Sequence, residues 1–479
     1  MGDDHFVQGE GLTDAAGFNA QSAVDALIAH YEKSCALAHR VIARGEYEQY
    51  AAVTYPKLTV TVHSWHPIDR TAPFGYVNEA GTYSAVISKP RLMRSYLENQ
   101  LKQLCAHYPC TITVGDSGQA IPPEYIDQLD SSVLGSHRHP AIPRATLDDV
   151  HDAIVDGDWE AFHGEEKPLA HFTAHRFDIA CARIEHYTGM SVDTVQRYIL
   201  FTNYGMHTRE FLRYGLAELQ RAGSRYTSLV VAGMTITRAE ATALDVHEFT
   251  SHDRFQMPRF DLVAEDNTGI TMVNIGVGPS NAKTITDCLA VLRPEVWVMI
   301  GHCAGLDGRM RMGDLILGNA YQRSDNLLDS HIPVSLPIPA VPEVQRALEA
   351  SVKEIYGDDL DLMRTGTVIS TDDRNWEWHT PKALWEWLRG STAAACDMES
   401  ATLAANGYRY RIPYGTLLSV SDLPLHAVPK LPAAAQAFYS NSKQAHVMCA
   451  VRAVEYLAQR PERLRTRKLR RTVAEVPFR

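Results

Sequence analysis

Six short runs of uninterrupted apolar residues in the second half of the chain set the strongest limit on its fold. They cover residues 228–232, 271–275, 296–300, 314–317, 366–370 and 415–420. A strand open to water on one face alternates apolar and polar residues, so continuous apolarity implies strands covered on both faces. Several runs lead through glycine or small polar residues into helical spacing, which together describe an α/β sheet domain over residues 224–460. In such sheets ligands bind beyond the carboxyl ends of the strands, and the unusual residues of this sequence gather there.

The first part of the chain reads differently. Apolar residues at helical spacing (Val24, Leu27, Ile28, Tyr31, Ala38, Val41, Ile42) precede alternating strand patterns at 55–62 and 81–88, a helix at 91–105 and a strand at 111–114. This predicts an α+β amino-terminal domain, placed at 20–185. A helical connector follows at 186–223, with residues 200–204 as an interruption, and a basic tail at 461–479. A length of 479 residues agrees with more than one core.

Charge and composition exclude several classes. The formal charge of −11 speaks against a large nucleic-acid surface, and the basic cluster from Arg460 to Arg471 reads as a solvated helix face or subunit contact. No apolar run approaches the roughly 20 residues of a membrane helix. The acidic, polar amino end is not expected to be a secretion signal. Eight scattered cysteines without a CxxC pair are expected as free thiols in a cytoplasmic protein.

Three familiar signatures fail. Gly276, Val277 and Gly278 follow a strand and open a helix, but Asn281 stands where a dinucleotide fingerprint needs its third glycine. Lys283 and Thr284 resemble the end of a P-loop, yet the preceding glycine is missing. What survives is a Gly-rich turn at a helix amino end, suited to an anion or a sugar oxygen, or else simply a tight strand-to-helix turn. His171 and His175 have zinc-protease spacing, but Phe172 replaces the glutamate; His137 and His139 read as solvated turn. No metal site is predicted.

One constellation holds. Cys396, Asp397, Met398, Glu399 and Ser400 precede an Ala-rich helix, Ser421 and Asp422 end a strand, and Gly301–Gly305 with His302, Cys303 and Ala304 end another. These segments resemble the hexameric purine nucleoside phosphorylases and related nucleosidases. Within that family, the stretches 273–283, 293–303 and 364–376, with 55–60, 91–96 and 200–204 in the first domain, resemble the AMP nucleosidases. The resemblance spans nearly the whole chain.

The resemblance implies a phosphorylase-like three-layer catalytic domain that hydrolyses the N-glycosidic bond of AMP, giving adenine and ribose 5-phosphate. Breaking that bond makes an oxocarbenium-like sugar and a poor anionic leaving group, and both need stabilisation. Asp422 then becomes the general acid at purine N7, which must keep its proton near neutral pH. Glu399 becomes the acceptor of the ribose hydroxyls, Met398 an apolar contact to the sugar, and Ser421 and Gly276 further substrate contacts. The backbone of Cys303, Ala304 and Gly305 would lie against the purine, with Trp376 or Phe438 stacking on it or forming core.

The 5′-phosphate requires cations, and Lys89, Arg91, Arg94, Lys283 and Arg374 are the candidates. Where phosphorylases carry an arginine past the first strand, this sequence has Thr237, with Arg238 one residue late. Water is therefore expected as nucleophile. The resemblance further implies no cofactor for the chemistry, activation by Mg-ATP, inhibition by phosphate, and a homo-hexamer. The rivals are a phosphorolytic purine nucleoside phosphorylase and a non-catalytic adenine-nucleotide sensor.

Overall fold

The computed structural model describes residues 5–7, 15–68, 74–129, 139–158, 166–241, 255–357, 361–426, 432–465 and 475–479. Side chains are described from residue 20 onward, excluding 432–442. Packing divides the chain into two units, Met1–Ala182 with Arg471–Arg479, and Arg183–Arg470.

The first unit contains β1 (His5–Val7), α1 (Ala15–Arg44), β2 (Thr54–Val62), β3 (Gly81–Val86), α2 (Arg94–His107), β4 (Cys110–Ala120), α3 (Ala153–Asp156), β5 (Lys167–Pro168) and the start of α4 (Ala174–Thr188). Its sheet has the order β1-β4-β2-β3-β5, antiparallel except for the β3–β5 pair. Helix α1 packs on α2 and on β2 and β4, because Val24, Leu27, Ala38 and Val41 recur on one face and are fully buried. Asp178 on α4 is buried, and it accepts hydrogen bonds from Tyr55 Oη and Ser88 Oγ at 2.5 Å each. The carboxyl end of the chain belongs to this unit. Phe478 is fully buried, its amide bonds Leu169 O at 3.2 Å, and Gly75 N bonds Pro477 O at 2.8 Å.

The second unit carries β6 (Tyr198–Thr202), α5 (Gly205–Gln220), β7 (Tyr226–Val231), β8 (Met234–Thr237), β9 (Arg259–Ala264), β10 (Ile270–Asn274) and α6 (Pro279–Leu289). It continues through β11 (Val296–Gly305), β12 (Leu315–Ser324), β13 (Ile338–Pro339), α7 (Pro342–Tyr356), β14 (Met363–Thr371) and α8 (Pro381–Leu388). It ends with β15 (Ala393–Asp397), α9 (Ser400–Tyr410), β16 (Tyr414–Asp422), α10 (Pro432–Ala458) and α11 (Pro461–Arg465). All six continuous apolar runs lie in strands of one large mixed sheet, ordered β13-β12-β14-β15-β11-β6-β10-β9-β7-β8, with β16 joining β11 and β12. Helices α5, α7, α9 and α10 pack on it, with α10 touching both α5 and α7 and with α6 packed against α9. The α/β class with a separate amino-terminal domain is thus realised.

Residues 186–223, expected as a helical connector, are part of the second unit. They contain β6, a central strand lying parallel to both β10 and β11, as well as α5. The run Tyr198–Thr202 is fully buried, so burial on both faces overrode the helical pattern around it. The segment 461–479 is likewise not a single tail, since α11 and residues 475–479 fall in different units.

Candidate active site

Neighbouring strand ends build the site. Strand β15 terminates at Asp397, whose carboxylate accepts the amide of Ser400 at 3.1 and 3.3 Å and Ser400 Oγ at 2.5 Å, capping α9. Ser370 on β14 donates to the same carboxylate at 2.5 Å and accepts the amide of Ala401 at 2.8 Å. These bonds satisfy donors at the start of α9 that would otherwise be orphaned. They also set the position of Glu399, one residue before the helix. Small residues make the seat possible: Ala401, Ala404 and Ala405 are buried, and α9 packs on α6.

Glu399 is buried and held from two sides. The amide of Gly278 donates to it at 2.6 Å, and Asn203 Nδ2 at 3.3 Å. Gly278 precedes α6 at φ +120°, and Gly276 at +66° is bonded to Asn274 Oδ1; both are backbone states that L side chains avoid. Asn203 follows β6. Burial first, and then the neighbouring Asp397 carboxylate, push the Glu399 carboxyl up to about 8. Burial also raises Asp397 from its ordinary range.

Asp422 ends β16 and is buried; Ser421 Oγ donates to it at 2.5 Å and reaches Cys303 O at 3.3 Å. Strands β11 and β16 run parallel, with a bulge between Cys303 and Ala304 that sets Ala304 beside Asp422. Ala304 also faces Cys396 on β15. The Cys396 thiol is pushed far up by burial and by the carboxyl groups of Asp397, Asp422, Glu377 and Glu399. Asp422 and Cys396 thus flank Ala304 from the two strands beside β11, and Glu399 follows Cys396 by three residues. Gly305 closes this corner, because a Cβ there would stand 2.6 Å from Leu423 Cδ2 and 2.9 Å from Met310 Sδ.

The remaining candidates divide. Met398 is half-buried between Asp397 and Glu399. Trp376 is buried in a cluster with Ala304, Ile369, Leu384 and Cys396, edge-on to Trp387 at 5.6 Å, so it supports the wall beneath Ala304. The side chain of Phe438 lies outside the described residues. Arg374 is exposed on a turn. Lys283 is paired with Asp287 at 2.5 Å, an i,i+4 contact on α6. Lys89, Arg91 and Arg94 stand in the other unit, bound to Asp127 at 2.7 Å, to Glu32, and to Asp25 at 2.7 Å.

The segment containing Thr237 has a different setting from the one expected. Ala232 and Gly233, at φ 48° and 81°, form the two-residue turn of the β7–β8 hairpin. Thr237 bonds Glu240, and the Arg238 guanidinium is engaged by the carbonyls of Ser224 and Tyr226. The strand that reaches Glu399 is β6. Sequence reasoning gave no role to two residues here, Asn203 and Asp397, although both lie inside stretches it singled out. The signal for both was a polar residue at the end of an apolar strand.

Comparison with known proteins now bears on this geometry. The amino-terminal residues 22–166 match the family model described as "Bacterial AMP nucleoside phosphorylase N-terminus", and residues 229–455 match the phosphorylase superfamily. The AMP nucleosidase of Escherichia coli (strain K12) is 42% identical over 495 aligned residues, covering 98% of this chain and 99% of that protein. The chain belongs to the AMP nucleosidase family. It is accordingly an enzyme of the N-glycosyl hydrolase class. AMP nucleosidase from Escherichia coli O157:H7 matches to the same extent. Among solved structures, AMP nucleosidase from Bacteroides thetaiotaomicron VPI-5482 is 26% identical with a TM-score of 0.44, over 59% of this chain and 97% of that one. Among the described residues, no helix is long and apolar enough to cross a membrane.

Proposed function

We propose that this member of the AMP nucleosidase family hydrolyses AMP to adenine and ribose 5-phosphate at the carboxyl ends of β10, β11, β15 and β16. The observation that carries this reading is Glu399, a buried carboxyl group held by the amide of Gly278 in the Gly276–Gly278 turn. Burying two carboxyl groups at neighbouring strand ends costs the fold stability, whereas a ribose with its base needs both. Glu399 accepts from the 2′ and 3′ hydroxyls, and its charge favours the cationic sugar as the bond to the base lengthens. Asp422, oriented by Ser421, delivers its proton to purine N7, so the leaving group departs neutral. Met398 contacts the sugar, and the backbone of Cys303 to Gly305 flanks the base. Water attacks C1′. Activation by Mg-ATP, inhibition by phosphate, a 5′-phosphate clamp drawn from the named cations, a cytoplasmic setting and a hexamer are parts of the same reading.

The test follows free adenine and sugar product from AMP by chromatography in phosphate-free buffer, with and without Mg-ATP. Ribose 5-phosphate is expected without added phosphate, and Asp422→Asn is expected to lower kcat by about 10²–10⁴-fold. Adenine released from adenosine alone, and only with phosphate, would establish a phosphorylase. Tight AMP binding without product would leave a sensor.

A further inference from the structure

Behind the strand ends, three histidines from distant parts of the sequence meet: His207 on the first turn of α5, His302 on β11 and His446 on α10. All three are buried, and their nearest ring nitrogens lie within 4.8 Å of one another. Ring centroids are 5.5 Å apart for His207 and His302, 5.2 Å for His207 and His446, and 6.4 Å for His302 and His446.

We propose that His207, His302 and His446 form a three-imidazole site for one zinc-like divalent ion. Two of the three have the outer contact usual for a ligating histidine, whose other nitrogen engages a protein oxygen. His446 Nε2 donates to Leu417 O at 2.8 Å, which leaves Nδ1 for the ion. Thr202 Oγ1 bonds His207 Nδ1 at 2.8 Å, which leaves Nε2. That Nε2 is buried without a hydrogen-bond partner, a state a neutral core histidine normally avoids.

Tetrahedral zinc with Zn–N bonds of about 2.0–2.1 Å sets its nitrogens roughly 3.3 Å apart, which small rotations of these side chains reach. Three imidazoles and no thiolate or carboxylate suit zinc or its neighbours rather than magnesium or calcium. The Tyr204 ring lies edge-on against His302 at 4.2 Å, and Asn203, which touches Glu399, is next in the chain. An ion would thus tie α5, β11 and α10 together directly behind the segment that positions Glu399. The site is independent of the hydrolytic reading above.

The experiment uses the full chain, stripped with a chelator and titrated with Zn(II) and separately with Co(II). One equivalent of each per chain is expected, with the visible ligand-field bands of four-coordinate Co(II) and a rise in Tm on metal addition. His207→Gln and His446→Gln are each expected to weaken binding by about 100-fold or more, while His379→Gln, at the surface, leaves it unchanged. Failure of the stripped wild-type chain to bind an equivalent, or a six-coordinate Co(II) spectrum, overturns the proposal. Wild-type affinity in both histidine variants also overturns it. The wild-type titration decides even if a variant does not fold.

Discussion

A carboxyl group sealed from water and set beside another acid is costly unless something offsets it, and Glu399 is such a group. Its ordinary value of about 4.3 is pushed up to about 8 in the folded chain. The folded state therefore holds a proton that the unfolded state releases above about pH 4.3. The stability this gives is fully present below that pH and is lost as pH rises through about 8. Glu399→Gln removes the loss. A neutral amide can still accept from Gly278 and can donate to Asn203 Oδ1, which is buried without a partner. Urea melts of this variant are expected to show a gain of about 1–4 kcal/mol at pH 8 and almost none at pH 4. Activity is expected to move the other way, falling by about 10²–10³-fold. A residue whose loss stabilises the fold while removing turnover is retained for chemistry; loss of both together would mark it as structural.

At the scale of the element, α9 is the device that sets the acid in place. Its first turn is capped by Asp397 rather than by the residue immediately before it, so the carboxyl of Glu399 is left to face the Gly276–Gly278 turn. The same Asp397 raises Glu399 by repulsion. In the proposed mechanism the ionised Glu399 binds the ribose, so kcat/KM is expected to rise with pH through an apparent value near 8. Asp397→Asn keeps the shape and one acceptor but removes the charge. Its rising limb is expected at lower pH than in the parent chain, at a stability cost of about 1 kcal/mol from the weaker cap. An unmoved limb would show that the repulsion does not govern this titration.

On the scale of the whole molecule, the chain returns to its first unit after completing its second. Besides the buried Phe478, Arg479 N reaches Gln100 Oε1 at 2.6 Å and Tyr96 Oη bonds Arg479 O at 2.5 Å. Phe478→Ala should cost the first unit about 3 kcal/mol. Calorimetry of the full chain is expected to show one transition lowered and another preserved. A uniform shift of all transitions would contradict the division into two units.

Much of this arrangement was legible before any coordinates. Continuous apolar runs identified six strands, because burial on both faces favours apolar side chains and admits only small, hydrogen-bonded polar ones such as Ser370. Glu399, Asp422 and the Gly276–Gly278 turn stood out because strand ends, free of core packing, can keep polar residues that the core would reject. The pairing of Lys283 with Asp287 was also open to a reader of i,i+4 spacing. Other features depended on the folded chain. Three of the five residues of β6, 200–202, were read as part of a break in a helix, since short apolar segments carry no periodicity of their own. Its place between β10 and β11 is set by pairing with strands far along the sequence. The meeting of His207, His302 and His446 has the same origin. Local patterning determines what each segment becomes, whereas which side chains share a buried space is decided by long-range packing, to which no single segment holds the key.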